Sequence, residues 1–452
     1  MSESWKFKHN NRRQLLHSCA YFSFKLMIFG ILLIFAISNL QADVNTQDFQ
    51  ITAHDGTELT LIRYPAQGTQ LVIWIASGYG LHERSIQTAH QLASIGIEVW
   101  QIDLAEALFL PHSTDQIRSL NGQYVADLIH SAYRVTGKKI ILCSQSYGAI
   151  PLLRGARIWQ SSRPKSDYLN GAILFSPDLY TTIPPLGLEP EYLPIVAATN
   201  IPIVILQEGK RPNRWHVDKL VQSLNKGGSK VQLNILEGVS GLFFEDDKSP
   251  ETTRIYSKLA HEMSSAIKWL ESTPTPRLKA PMAKLFKPKG SGIDSKLKIF
   301  KGNFGPIPIN LPDISGKVQL RDNYQNKITI VNFWASWCSP CVQEIPSLNR
   351  LRDKMTDLPL ELISINYAED AQTIKEFMHK VDVRYPVLLD STGLVASNWK
   401  VIAFPSTYIM GADGKIHYAV NAAIEWDTPE VVNSLMKLYQ TTSSSSSPTI
   451  AK

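Results

Sequence analysis

The sequence predicts an α/β protein with two folded parts of unequal size, the larger built on a mostly parallel sheet. Three observations carry this. Short apolar, β-rich runs alternate with amphipathic stretches over residues 50–270, the pattern of strands buried on both faces between covering helices. The alternation recurs on a smaller scale after residue 303. The 452 residues exceed the roughly 150 of an ordinary domain, and a Lys-, Pro-, Gly- and Ser-rich stretch at 271–303 separates the two parts.

The elements follow in order. Residues 1–42 read as an export segment. Five basic groups and Glu3 occupy residues 1–25, and twelve uncharged residues run from Leu26 to Ile37. Leu40-Gln41-Ala42 is then a passable cleavage site. Twelve residues are short for about 30 Å of hydrocarbon, which favours a cleaved signal peptide. The alternative is an uncleaved anchor, with a membrane tether through residues 26–40. Either reading places the bulk of the chain outside the cytoplasm, in the periplasm.

In the first folded part, strands are expected at Leu71–Ala76, Glu98–Ile102, Lys139–Cys143, Ala172–Phe175, Ile203–Leu206 and Val231–Leu236. Helices are expected between them, such as Ser85–Ile95 and Gly122–Val135. In the second part, strands are expected at Ile328–Trp334, Glu361–Asn366, Pro386–Leu388 and Thr407–Met410. The tail from Thr441 to Lys452, with five consecutive serines, is expected to be disordered.

Charge excludes one class of function. The net +6 resolves into +4 for residues 1–25 and +6 for residues 271–301, which leaves −4 for everything else. The folded parts are mildly acidic, so a nucleic-acid-binding surface is not expected.

The strongest chemical signal is Val331-Asn332-Phe333-Trp334-Ala335-Ser336-Trp337-Cys338-Ser339-Pro340-Cys341. A β-rich run leads into two cysteines, and a helical pattern follows from Val342 to Met355. Cys338 would cap a helix N-terminus, where free N–H groups and the helix dipole favour a thiolate. Cys338 would attack a substrate disulfide, and Cys341 would resolve the mixed disulfide. C-x-x-C is also a metal-ligand spacing, but no second Cys pair or His cluster completes four ligands. No metal and no cofactor are expected. Only three of the four cysteines lie beyond the export segment, so a disulfide scaffold is not expected either.

Over residues from about Phe304 to Tyr439 this part resembles the exported TlpA-like thiol-disulfide oxidoreductases of the thioredoxin superfamily. The matching residues are Trp334 to Cys341, Glu344-Ile345-Pro346-Ser347-Leu348, Tyr385 to Asp390, Phe404-Pro405-Ser406-Thr407 and Ala412-Asp413-Gly414-Lys415. The resemblance implies a thioredoxin-like domain at 304–440 and a redox pair at Cys338 and Cys341 flanked by Trp337. It also implies a cis-proline at Pro405 shaping the substrate groove, and Glu344 as a proton-transfer partner. It implies a disulfide reductase acting on protein thiols and disulfides, kept reduced by a membrane electron donor. One departure is that the family commonly has Gly where Asn421 or Ala422 stands.

In the first part, Ile140-Ile141-Leu142-Cys143-Ser144-Gln145-Ser146-Tyr147-Gly148-Ala149 reads as strand, sharp turn, helix. It resembles the nucleophile elbow of α/β-hydrolases, with Ser144 in place of the first Gly and Ser146 at the nucleophile position. The resemblance implies a doubly wound sheet over residues 50–270. It also implies an acid after Ile203–Leu206, where Glu208 is the candidate and Asp218 a distant second, and a His after Val231–Leu236. No His stands there; the nearest are His216 and His261. The expected part is therefore a hydrolase-like accessory domain without acid/base machinery. The alternatives are an ester or acyl hydrolase centred on Ser146, and a non-enzymatic client-binding module. Cys143 is expected to be a buried packing thiol.

Overall fold

The computed structural model describes residues 46–243, 248–274 and 297–443. The export segment, most of the basic stretch and the serine run after Ser443 lie outside the described residues. Strands β1 to β8 are Gln47–Thr52, Glu58–Tyr64, Gln70–Ile75, Glu98–Ile102, Lys139–Gln145, Leu169–Phe175, Ile203–Glu208 and Val231–Leu236. They form one sheet in the order β1-β2-β4-β3-β5-β6-β7-β8. Strands β3 to β8 run parallel, while β2 is antiparallel to both β1 and β4.

The central strands read as continuous apolar runs because both faces are covered. Leu71, Ile73, Ile75, Ile140 and Leu142 point into one core. Val72, Trp74, Ile141 and Cys143 point into the other, against the helices Glu83–Ser94 and Leu259–Ser272. Cys143 is a free buried thiol whose pKa burial raises well above its ordinary value, in keeping with a packing role.

Strands β9 to β16 of the second part, Lys298–Ile299, Ile309–Pro312, Val318–Arg321, Ile328–Trp334, Leu360–Tyr367, Val387–Asp390, Ser406–Met410 and Ile416–Val420, form a two-stranded and a six-stranded sheet. β10 and β11 pair with each other, and the other six lie in the order β14-β13-β12-β15-β16-β9. β12 is central, parallel to β13 and antiparallel to β15. It is buried along its whole length.

Two edges of the expected segments shift. Lys298–Ile299, assigned to the basic stretch, pairs with β16 and brings Phe300 against Tyr408. At the other end, Thr441–Ser443 continue the helix Pro429–Ser443 instead of starting the tail. Thr442 is buried there because its hydroxyl accepts the Ala412 N–H at 2.8 Å.

Candidate active site

β12 ends at Trp334 and delivers the Cys338 turn to the rim of the sheet. The helix Ser339–Lys354 begins directly after Cys338, which is its N-cap. Pro340 in the first turn needs no intrahelical N–H partner and pre-sets the backbone angle. The Cys341 N–H points at Cys338 Sγ, 3.3 Å away, and the two sulfurs are bonded. Both cysteines are buried; Trp337 beside them is 51% exposed.

Pairing of Phe333 with Ser406 in the β12–β15 ladder brings the segment before β15 up to the end of β12. The Phe404–Pro405 peptide there is cis, and the Phe404 ring meets Trp337 edge to face at 5.9 Å. The structure thus brings Trp337, Cys338 and the Phe404–Pro405 turn to one rim.

Glu344 lies three residues after Cys341, on the same side of the helix. Its side chain is buried and its two oxygens accept from Asn332 Nδ2 at 2.8 Å and Trp426 Nε1 at 3.0 Å. Burial raises its pKa to about 7 despite those donors. A second carboxylate, the half-buried Glu369, was not visible in the sequence. It accepts the Ser336 N–H at 2.8 Å, the Ser336 hydroxyl and Asn366 Nδ2 at 2.6 Å, and burial raises its pKa as well. Glu369 pins the turn two residues before Cys338. The signal available in the sequence was its position just past the end of β13, beside the switch from strand to helix.

The Ser146 site has a different character. Ser146 sits at a sharp turn between β5 and the helix Ala149–Ser162, with φ of +50°. That left-handed backbone is costly for a side chain and is met at strained functional turns. Ser144 fits the first small position because its hydroxyl bonds the Ile75 carbonyl at 2.9 Å. The partner of Ser146 is a carboxylate, not an imidazole: its hydroxyl donates to Asp178 Oδ2 at 2.8 Å. Asp178 follows β6, one strand before the place where the acid was expected.

Glu208 is buried and committed elsewhere, accepting the Leu242 N–H and the Ser176 hydroxyl. Arg211 lies between the two acids, 3.5 Å from Asp178 and 3.4 Å from Glu208. Neither fallback histidine stands by Ser146. His216 pairs with Glu189 at 3.8 Å, and His261 lies exposed on the helix Leu259–Ser272. Asp218 begins the exposed face of the helix Val217–Gly227. The recess beside Ser146 holds about 50 Å³. That is room for a few waters, far below the roughly 300 Å³ of a small-molecule site.

Comparison with known proteins concerns the second part of the chain. The protein is 32% identical over 105 residues to the thiol-disulfide oxidoreductase ResA of Bacillus thuringiensis subsp. konkukian, covering 23% of this chain and 60% of that protein. It is 30% identical over 110 residues to the thioredoxin-like protein YneN of Bacillus subtilis, covering 24% and 64%. The chain thus spans about three-fifths of the length of these curated relatives. Among solved structures, StoA from Bacillus subtilis is 22% identical, covering 29% of this chain and 96% of that one, with a TM-score of 0.25. The exposed lipoprotein thioredoxin Etrx1 from Streptococcus pneumoniae is also 22% identical, covering 29% and 100%, with a TM-score of 0.27. Residues 306–419 match the family described as AhpC/TSA, and the C-terminal part of this α/β protein is a thioredoxin-like domain.

Proposed function

We propose that the protein is an exported thiol-disulfide oxidoreductase, a disulfide reductase working through Cys338 and Cys341. The observation that carries this reading is the bonded Cys338–Cys341 pair at a helix N-cap, beside a buried carboxylate and a cis-proline. The likeness to ResA and YneN over the same residues supports it.

In the reduced protein the Cys338 thiolate, favoured by the helix N-terminus, attacks one sulfur of a substrate disulfide. The substrate S–S bond breaks, a mixed disulfide forms, and the released substrate sulfur takes a proton. Cys341 then attacks Cys338 Sγ as Glu344 accepts its proton. The second substrate thiolate leaves, and Cys338–Cys341 is oxidised by two electrons. A thiol donor outside the chain, at the membrane, restores the dithiol.

Pro405 and Trp337 border the groove through which the substrate sulfur reaches Cys338. Residues 1–42 serve as the export signal or anchor, and the serine-rich tail and basic stretch flank the folded parts. The test is direct. Pre-reduced, desalted protein mixed with insulin converts one insulin disulfide per chain into two insulin thiols, read by alkylating the mixture and weighing insulin and protein separately by mass spectrometry; insulin that gains no alkylated thiol contradicts the reading.

The hydrolase-like first part serves as an accessory domain. The Ser146 hydroxyl meets a carboxylate and no imidazole, and the recess is too small for an acyl substrate. A fluorophosphonate probe is expected to leave Ser146 unlabelled. Labelling lost on Ser146→Ala would establish the alternative, a serine hydrolase.

A further inference from the structure

The first part of the chain grips the segment that carries the cis-proline. That segment, residues 399–405, joins the helix Leu394–Asn398 to β15. Near its start Lys400 holds a left-handed φ of +56°, a costly backbone for a side chain. The Lys400 Nζ reaches Glu189 Oε1 of the first part at 3.7 Å. At the other end, β15 pairs with β16, Thr407 opposite Val420, so Asn421 stands beside the start of β15, next to Pro405. Asn421 Nδ2 donates to the Pro184 carbonyl of the first part at 2.7 Å.

Between these two points the first part sends a side chain into the second. Leu186 is buried in one core with Trp399, Tyr408 and Ala419, and Phe404 packs against that same core. The next residue, Gly187, has a φ of +81°, and a Cβ there would sit 2.6 Å from the Phe300 ring. Only glycine lets the backbone lie this close in that conformation. Phe404 in turn meets the exposed Trp337 beside Cys338. Residues 184–189 therefore hold the cis-proline segment near both ends and share a core with its aromatic residue.

We infer that residues 184–189 of the hydrolase-like part brace the redox site for polypeptide substrates. Leu186 and Asn421 are positioning residues: they hold Phe404 and Pro405 as the rim on which a polypeptide flanking a substrate disulfide lies. The inference rests on the redox reading above and gives the hydrolase-like part a task in substrate selection. A polypeptide disulfide lies along the rim to reach Cys338. A small disulfide such as oxidised glutathione covers little of the rim and draws little on the brace.

The experiment uses the full chain, pre-reduced and desalted, in single turnovers against insulin and against oxidised glutathione. Leu186→Ala is expected to raise the insulin concentration for half-maximal rate about three- to ten-fold, the scale of a single lost contact. Its maximal rate with insulin and its rate with oxidised glutathione stay within about two-fold of the parent, the signature of lost binding rather than lost chemistry. Leu186→Met, which keeps the buried volume, recovers most of the loss. Asn421→Ala removes the bond to Pro184 without opening the core, and it decides the matter if Leu186→Ala does not fold. It is expected to show the same selective rise. Either variant, folded and with unchanged insulin dependence, overturns the inference. So does an equal fall with both substrates, which marks general damage. A parent protein that reduces neither disulfide defeats the redox reading itself, a result distinct from failure of the inference.

Discussion

Replacement of Cys338 by Ala removes disulfide reduction down to the uncatalysed background, a loss of roughly 10³-fold or more, because no other group supplies the attacking sulfur. Cys341→Ser gives a different result. Attack by Cys338 is intact, but nothing displaces the substrate, so a mixed disulfide accumulates and is seen as a band sensitive to dithiothreitol on a non-reducing gel. The two variants separate the roles because Cys338 stands at the helix N-cap and Cys341 lies one turn in, more deeply buried. Trapping by Cys338→Ala in place of Cys341→Ser would reverse the assignment.

Glu344 is expected to govern both the resolving step and the pH dependence of stability. Its two oxygens face the donors of Asn332 and Trp426, so Glu344→Gln turns an NH₂ toward one of them and leaves that donor without an acceptor. The variant also lacks the base that takes the Cys341 proton, and resolution is expected to slow by about 10²-fold or more near pH 7.

The stability effect has a definite sign. The folded pKa, about 7, lies above the ordinary value of 4.5, so the native state holds this proton more tightly than the unfolded chain. Below pH 4.5 both states are protonated and there is no penalty. Between pH 4.5 and 7 the unfolded state ionises first, and the wild type loses about 3 kcal/mol. Above pH 7 the loss is constant. Guanidinium unfolding of the oxidised protein at pH 5, 6 and 8 reads this directly. Glu344→Gln lacks this slope; it is the less stable protein at pH 5, and the gap narrows by pH 8. Equal slopes in the two proteins would contradict a raised Glu344 pKa.

The legible parts of the sequence were those in which local chemistry and burial agree. β12 and the central strands of the first sheet are largely apolar because they are covered on both faces. The cysteine turn and the Ser146 turn each join a buried strand to a helix. The antiparallel edge was less visible. Leu59 and Leu61 in β2 are buried, but polar neighbours between them dilute the signal, and pairing with β1 is set by tertiary register.

Two side chains at the candidate sites escaped notice because their partners are distant in sequence. Asp178 reaches Ser146 across 32 residues, and Glu369 reaches Ser336 across 33. Asn421 or Ala422 read only as a departure from the resembled pattern, and the Asn421 side chain donates to a carbonyl 237 residues away. Contacts of this kind depend on where the chain returns, which residue type and spacing do not encode locally.

The central claim is that Cys338 and Cys341 form a reducing pair. Strong oxidants of this chemistry owe their potential to a stabilised thiolate in the reduced form. Here both sulfurs are buried and an acidic side chain follows Cys341 by one turn, which limits that stabilisation. Equilibration of the full chain with dithiothreitol redox buffers, followed by thiol trapping, measures the potential of the pair. The account predicts a value below about −200 mV, in the range of reductants; a value near −120 mV, that of a strong oxidant, would contradict it.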